Sequence, residues 1–265
     1  MTVAKHLACA CIGLVASTGH AESLIKPTAI DWLLDCPLPA VERLDREVLE
    51  RTQCGIVAVP LNYAAPDQGS LNLYLTRVGA RKPLSRKGVV FALAGDTLQK
   101  DHGGTFAVHL ASRWGAYSTQ AHRTLLNEYD VIELSPRDLT LESEVEQAAR
   151  DMEFVRTQLG DAQLHYLGNA DATRLGSRYA ALFPKRVARM VLVNAEQGMS
   201  GASHVAQLHL KESAKPDAGS CINRWVGDFL AYGRKPPPST HCLDLDSRGV
   251  AHRLPPRATD HDTLR

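Results

Sequence analysis

The chain lacks the features that would take it to a nucleic acid or into a bilayer. Its 265 residues carry a formal net charge of +1. No basic field therefore draws in nucleic acid or an anionic membrane. Past the N-terminus no apolar run reaches the roughly 18 residues of a membrane span. Metal-ligand spacing is also missing. None of the eleven histidines forms a His-x-x-x-His pair on a helix beside a carboxylate set. His102, His109 and His122 are scattered over one segment, and His252 and His261 lie near the end. No metal or other cofactor is expected. There is no internal repeat and no low-complexity tract beyond a short "PPP".

What is present begins with an export pattern. Lys5 and His6 precede the apolar stretch "LACACIGLVAS" (7–17), which is too short to span a membrane. "GHA" (19–21) then offers small residues for cleavage after Ala21. These features predict a signal peptide over 1–21 and a periplasmic or secreted mature chain. Cys36, Cys54, Cys221 and Cys242 would remain, an even count suited to an oxidising compartment. Four cysteines allow three pairings, and proximity in sequence favours Cys36–Cys54 and Cys221–Cys242. No two of them have the C-x2-4-C spacing of a zinc site.

Hydrophobic content of 44% is ordinary for a globular chain, so the pattern matters more than the amount. "CGIVAVPLNYAAP" (54–66) reads as a strand ending in a proline-punctuated turn. "SLNLYLTRVGA" (70–80) alternates like a half-buried antiparallel strand. "GVVFALAG" (88–95) and "YDVIELSPRD" (129–138) are the dense apolar runs of strands covered on both faces. Residues 143–160 read as a helix with Ser143 and Glu146 as a capping box and Gly160 as its stop. A strand over 163–168, a helix over 171–183 and a strand over 186–195 follow. Residues 221–233 form another helix. After "RKPPPST" the tail, 246–265 above all, is expected to be loosely ordered. Buried strands alternating with helices predict an α/β fold: a mostly parallel sheet with helices on both faces.

The segment "YLGNADATRLGSRYAALFP" (166–184) is a strand, a tight turn and an amphipathic helix. It has the frame of Gly-x-Ser-x-Gly, the turn that presents a nucleophilic serine. Here the five residues are Gly168, Asn169, Ala170, Asp171 and Ala172. Together with "CGIVAVPLNYAAP", "VVFALAGDTLQ", "YDVIELSPRDLT" and "CINRWVGDFLAYGRKPPPSTHC", in that order, it resembles the exported α/β-hydrolase family of tripeptidyl and prolyl aminopeptidases, the TAP-like proteins. The resemblance implies an α/β-hydrolase-like domain over 22–245 with its cap and late strands reduced or missing.

The chemistry that the family would bring is not carried over with the frame. An acyl-transfer hydrolase needs a nucleophile, a base, an acid that orients the base, and N–H donors for the oxyanion. Ala170 stands at the serine position and cannot form an acyl-enzyme. Ala172 replaces the second glycine, and its methyl is expected to crowd the turn. Of the family's Gly-Gly-Pro-Gly oxyanion loop only Gly95 remains, followed by Asp96, whose charge would repel an oxyanion. Arg137 is what "SPRD" (135–138) keeps of Asp-x-Arg-Gly. Between residue 195 and Cys221 at most one strand fits, "HVAQLHL" (204–210), and no histidine stands just before Cys221.

The expected protein is therefore a hydrolase fold without hydrolase activity, leaving a peptide or small ligand in the old cleft as its partner. The alternative is an active peptidase or esterase with a relocated nucleophile, Asp171 or Ser200, and His209 as base. Asp171 more simply starts a helix. Ser200 in "GMSGAS" is followed by no amphipathic helix, and "DHGG" (101–104) reads as a glycine turn. An uncovered sheet edge would allow a homodimer.

Overall fold

The computed structural model describes residues 30–38, 44–95, 106–117, 119–135, 137–195, 205–208 and 219–235. The segments 1–29 and 246–265, which hold the expected signal peptide and tail, lie outside these residues.

One sheet of eight strands organises the described chain. In chain order they are β1 (Asp31–Trp32), β2 (Thr52–Pro60), β3 (Ser70–Val78), β4 (Gly88–Leu93), β5 (Tyr129–Leu134), β6 (Leu164–Asn169), β7 (Val187–Val193) and β8 (Val205–Leu208). Across the sheet the order is β1-β2-β3-β5-β4-β6-β7-β8. β1, β2 and β3 run antiparallel to their neighbours, and every pair from β5 to β8 is parallel. Leading antiparallel strands beside a parallel core are what the alternation in 70–80 and the continuous runs in 88–95 and 129–138 call for. The short strand expected within 204–210 is β8, the one strand that follows β7 among the described residues.

The helices are α1 (Arg46–Glu50), α2 (Phe106–Ala116), α3 (Gln120–Glu128), α4 (Glu142–Gln158), α5 (Ala172–Leu182) and α6 (Gly219–Tyr232). They divide between the two faces. Val89, Phe91 and Leu93 of β4 pack with Leu164 and Tyr166 of β6 against Val145, Met152 and Val155 of α4 and Leu175 and Tyr179 of α5. Val90 and Ala92 point the other way, onto Val108 and Trp114 of α2, Leu125 of α3 and Val226 and Phe229 of α6. A period of two within each strand thus feeds two separate cores. α2 and α3 occupy a segment whose apolar periodicity is blurred by histidine, serine and glycine.

The capping box expected at Ser143 is not formed. α4 begins at Glu142, and its N-cap residue, Leu141, makes no side-chain cap bond. Glu146 instead pairs with Arg150 on its own helix and with Arg178 on α5. An ion pair between two packed helices has drawn the glutamate away from the helix start. Gly160 does end the helix region, at φ +74°, a backbone region that glycine enters without a Cβ penalty.

Cys36 and Cys54 are joined by a disulfide with Cα atoms 4.9 Å apart, tying the leading segment to β2. Cys221, in α6, is also disulfide-bonded. Its expected partner, Cys242, lies outside the described residues.

Candidate active site

The parallel strands β4, β6 and β7 end side by side, and the turn after β6 stands between the ends of its neighbours. Crevices at the carboxyl ends of such strands are where open α/β sheets place their ligands. Ala170 is the apex of that turn. Its backbone has φ +49°, left-handed, a conformation that costs a non-glycine residue about 1–2 kcal/mol.

Three contacts hold Ala170 there. Its N–H donates to the Val193 carbonyl at the end of β7, 3.1 Å away. Its carbonyl accepts from both the N–H (2.9 Å) and the hydroxyl (2.6 Å) of Thr173 in the first turn of α5. Gly95, just past β4, closes the third side. A Cβ built on Gly95 would lie 2.7 Å from the Ala170 Cβ and 2.8 Å from the Asn169 carbonyl oxygen. A strained residue persists when its surroundings over-determine it. Here the end of one strand, the start of a helix and a neighbouring loop all do so.

The two glycine positions of the frame behave differently. A Cβ on Gly168 would sit 2.6 Å from Tyr166 Cε1 and 2.9 Å from the Ala172 carbonyl, so this glycine is required. Tyr166 is fully buried under the turn and donates its hydroxyl to that same carbonyl, 2.6 Å away. Burial holds its phenol well above the usual range. Ala172, expected to crowd the turn, does not. It is buried in the core as the first residue of α5, and its methyl finds room among the apolar side chains there. The close approach is made by Gly168, Gly95 and Gly176, the last of which meets the Tyr166 ring.

Asp171 is the N-cap residue of α5, exposed and without a side-chain cap bond. Ser200, His209 and Asp96 lie outside the described residues. The two histidines that are buried among the described residues do not face the turn. His165 sits on β6 between Leu164 and Tyr166, whose side chains pack with α5, so its ring points to the other face, edge-on to Tyr129. His122 is buried on α3, on that same other face. Among the described residues no three of His, Cys, Asp and Glu gather where they could hold a metal ion. No described helix is long and apolar enough to cross a membrane.

Arg137 has a structural task. Its Nε and Nη2 donate to the two carboxylate oxygens of Asp151 on α4 at 2.7 and 3.1 Å. Its other donors reach the carbonyls of Pro60 (2.6 Å) and Leu61 (2.7 Å) at the end of β2. The retained arginine therefore clamps β2 to α4.

One titratable residue near the site was not singled out from the sequence. Glu133, near the end of β5, is 4% exposed and accepts from the Ala107 amide at the start of α2 (3.1 Å). Burial pushes its carboxyl up to about 7, against the pull of the Ala107 and Phe106 amides. The available signal was the pair of acids, Asp130 and Glu133, inside "YDVIEL", where a strand covered on both faces has no water to offer them.

Residues 89–219 match the family model described as alpha/beta hydrolase fold, just under half of the chain. That span runs from β4 through the turn at Ala170 to the start of α6. The fold is that of the α/β hydrolases. Over 44 residues, the chain is 50% identical to the serine protease Hip1 of Mycobacterium tuberculosis and 48% identical to a tripeptidyl aminopeptidase of Streptomyces lividans. Those 44 residues are 17% of this chain and 8% of either relative, so the match spans less than a tenth of the relatives' length. Among solved structures, a probable hydrolytic enzyme from Pseudomonas aeruginosa aligns at 21% identity and a TM-score of 0.35, covering 53% of this chain and 41% of that one.

Proposed function

We propose that this is an exported, non-catalytic homologue of the TAP-like serine peptidases, which binds a peptide or small ligand at the carboxyl ends of β4 and β6 without cleaving it. The observation that carries the reading is Ala170 at the apex of the α/β-hydrolase turn, in the left-handed backbone conformation and with no heteroatom. A side chain there that cannot attack a carbonyl removes the first step of acyl transfer. The partial match to a serine protease and a tripeptidyl aminopeptidase supports peptide as the ligand class.

The test is hydrolysis of nitrophenyl esters and aminoacyl or tripeptidyl nitroanilides by the purified protein beside its Ala170→Ser variant. Neither is expected to turn substrate over, because one restored hydroxyl brings back neither the base nor the oxyanion loop. Turnover by the wild type above contaminant controls contradicts the reading and moves the search to Ser200 or Asp171. Binding is read separately, by calorimetric titration with free tripeptides. No heat of binding at millimolar peptide removes the ligand half of the proposal and leaves the non-catalytic half standing.

A further inference from the structure

α6 is seated on the imidazole of His122. The helix lies against α3, and at Gly227 the two come close. A Cβ on Gly227 would meet Nε2, Cε1 and Cδ2 of His122 at 2.9, 3.0 and 3.2 Å. The backbone of α6 thus rests on the ring itself. His122 is 1% exposed, and its Nδ1 lies 2.6 Å from the Thr119 hydroxyl. Its Nε2 is buried with no hydrogen-bond partner. Around it are the rings of Trp114 and Tyr117, with centroids at 6.1 and 5.2 Å.

A neutral imidazole tolerates this site, because one nitrogen is satisfied by Thr119 and the other carries either a lone pair or a single N–H. An imidazolium does not. Both nitrogens then carry a proton, and although the Asn223 carbonyl of α6 can accept from one of them, the charge itself is buried between the aromatic rings and the α6 backbone. We propose that α6 is an acid-released element: protonation of His122 breaks the seat of α6 on α3 and frees the helix from the sheet.

The charged groups around the ring are few. From α6, Asp228 and the Asn223 carbonyl favour the cation, but burial outweighs them and holds the imidazole below its ordinary range. Arg224 of α6 and Arg113 of α2 are exposed. Tyr117, after α2, accepts from the Asn223 amide at 2.6 Å. On α3 itself, Arg123 reaches Gln120, and Glu128 pairs with Lys87. The rest of the α6 seat is the burial of Ile222, Val226, Phe229 and Leu230. Two hydrogen bonds from Arg189 to the carbonyls of Leu230 and Ala231, a contact between Thr124 and the Tyr232 hydroxyl, and the disulfide of Cys221 add to it. His165 lies on the same side of the sheet but is held down to about 4 by burial and by Arg189, so it stays neutral between pH 5 and 7.5.

The experiment is amide hydrogen exchange from pH 7.5 to 5, corrected for intrinsic rates, comparing α6 with α4. In the wild type, α6 should lose protection relative to α4 as pH falls below 6.5. The limit is about tenfold for each unit by which the folded imidazole lies below that value. His122→Phe, with an apolar ring in the seat, should abolish the differential loss. Asp228→Asn removes a field that favours the cation and should deepen the loss at pH 5. This also gives a decisive readout if His122→Phe does not fold. Equal pH dependence of α6 and α4 in the wild type, or an undiminished acid loss in His122→Phe, overturns the proposal.

Discussion

At the scale of the residue, the turn at Ala170 keeps a conformation whose purpose in a serine hydrolase is to expose a side chain. Here the side chain is a methyl group, and the strain serves only to carry the backbone from β6 into α5. Replacing Ala170 by glycine relieves about 1–2 kcal/mol of left-handed strain and adds about 0.5–1 kcal/mol of backbone entropy cost. Ala170→Gly is therefore expected to raise stability by up to about 1 kcal/mol, read as a shift in the denaturant midpoint. A functional elbow would be an unpromising place for such a gain. The position of this turn was legible in "YLGNADATRLG", because a strand, a short polar break and an amphipathic run fix where it must fall. The identity of the crowded glycine was not. Which of Gly168 and Ala172 tolerates a methyl depends on where the Tyr166 ring lies, and that is set by packing between strand and helix.

At the scale of the element, the strands and the helix spans were readable and the capping of α4 was not. β4 and β5 are buried on both faces and their sequences say so. α4 starts at Glu142 without a side-chain cap, since Glu146 is taken by Arg150 and Arg178. A local motif lost to a partner that only the fold brings near. The same holds for Arg137, which is bound in two prongs to Asp151 and reaches the carbonyls of Pro60 and Leu61, far back in the chain. Removing the arginine alone leaves a buried carboxylate without its partner, a loss of about 3–5 kcal/mol in comparable pairs. Arg137→Met should therefore lower the unfolding midpoint sharply, and Arg137→Met combined with Asp151→Leu should recover much of the loss. Equal destabilisation of the single and double variants in urea would show that the clamp acts through its carbonyl bonds instead.

At the scale of the molecule, the face of the sheet that carries α2, α3 and α6 holds groups whose charge opposes folding. Glu133 has its folded value raised to about 7. Its contribution is fully present below the ordinary carboxylate value and is lost as pH rises through about 7. His165, held down to about 4, contributes fully above 6.5 and loses its contribution as pH falls toward 4. Stability should thus decline on both sides of a mildly acidic optimum. Glu133→Gln, which keeps an acceptor for the Ala107 amide, should remove the alkaline decline in thermal unfolding between pH 5 and 8 and, with the opposing carboxylate gone, steepen the His165 rise between about pH 5 and 6.5. The shifts themselves were not legible in the sequence, because Asp130 in the same strand finds arginine partners while Glu133 has only backbone amides, a difference set by the sheet order.

The central claim, a hydrolase turn without a working nucleophile, is tested most directly by covalent labelling. The purified protein is incubated with a fluorophosphonate, which reacts with activated serines, and its intact mass is measured. The account predicts an unchanged mass for the wild type and for Ala170→Ser, since among the described residues the buried histidines, His122 and His165, do not face the turn. A stoichiometric adduct on the wild type, mapped to Ser200 or any other serine, would contradict it.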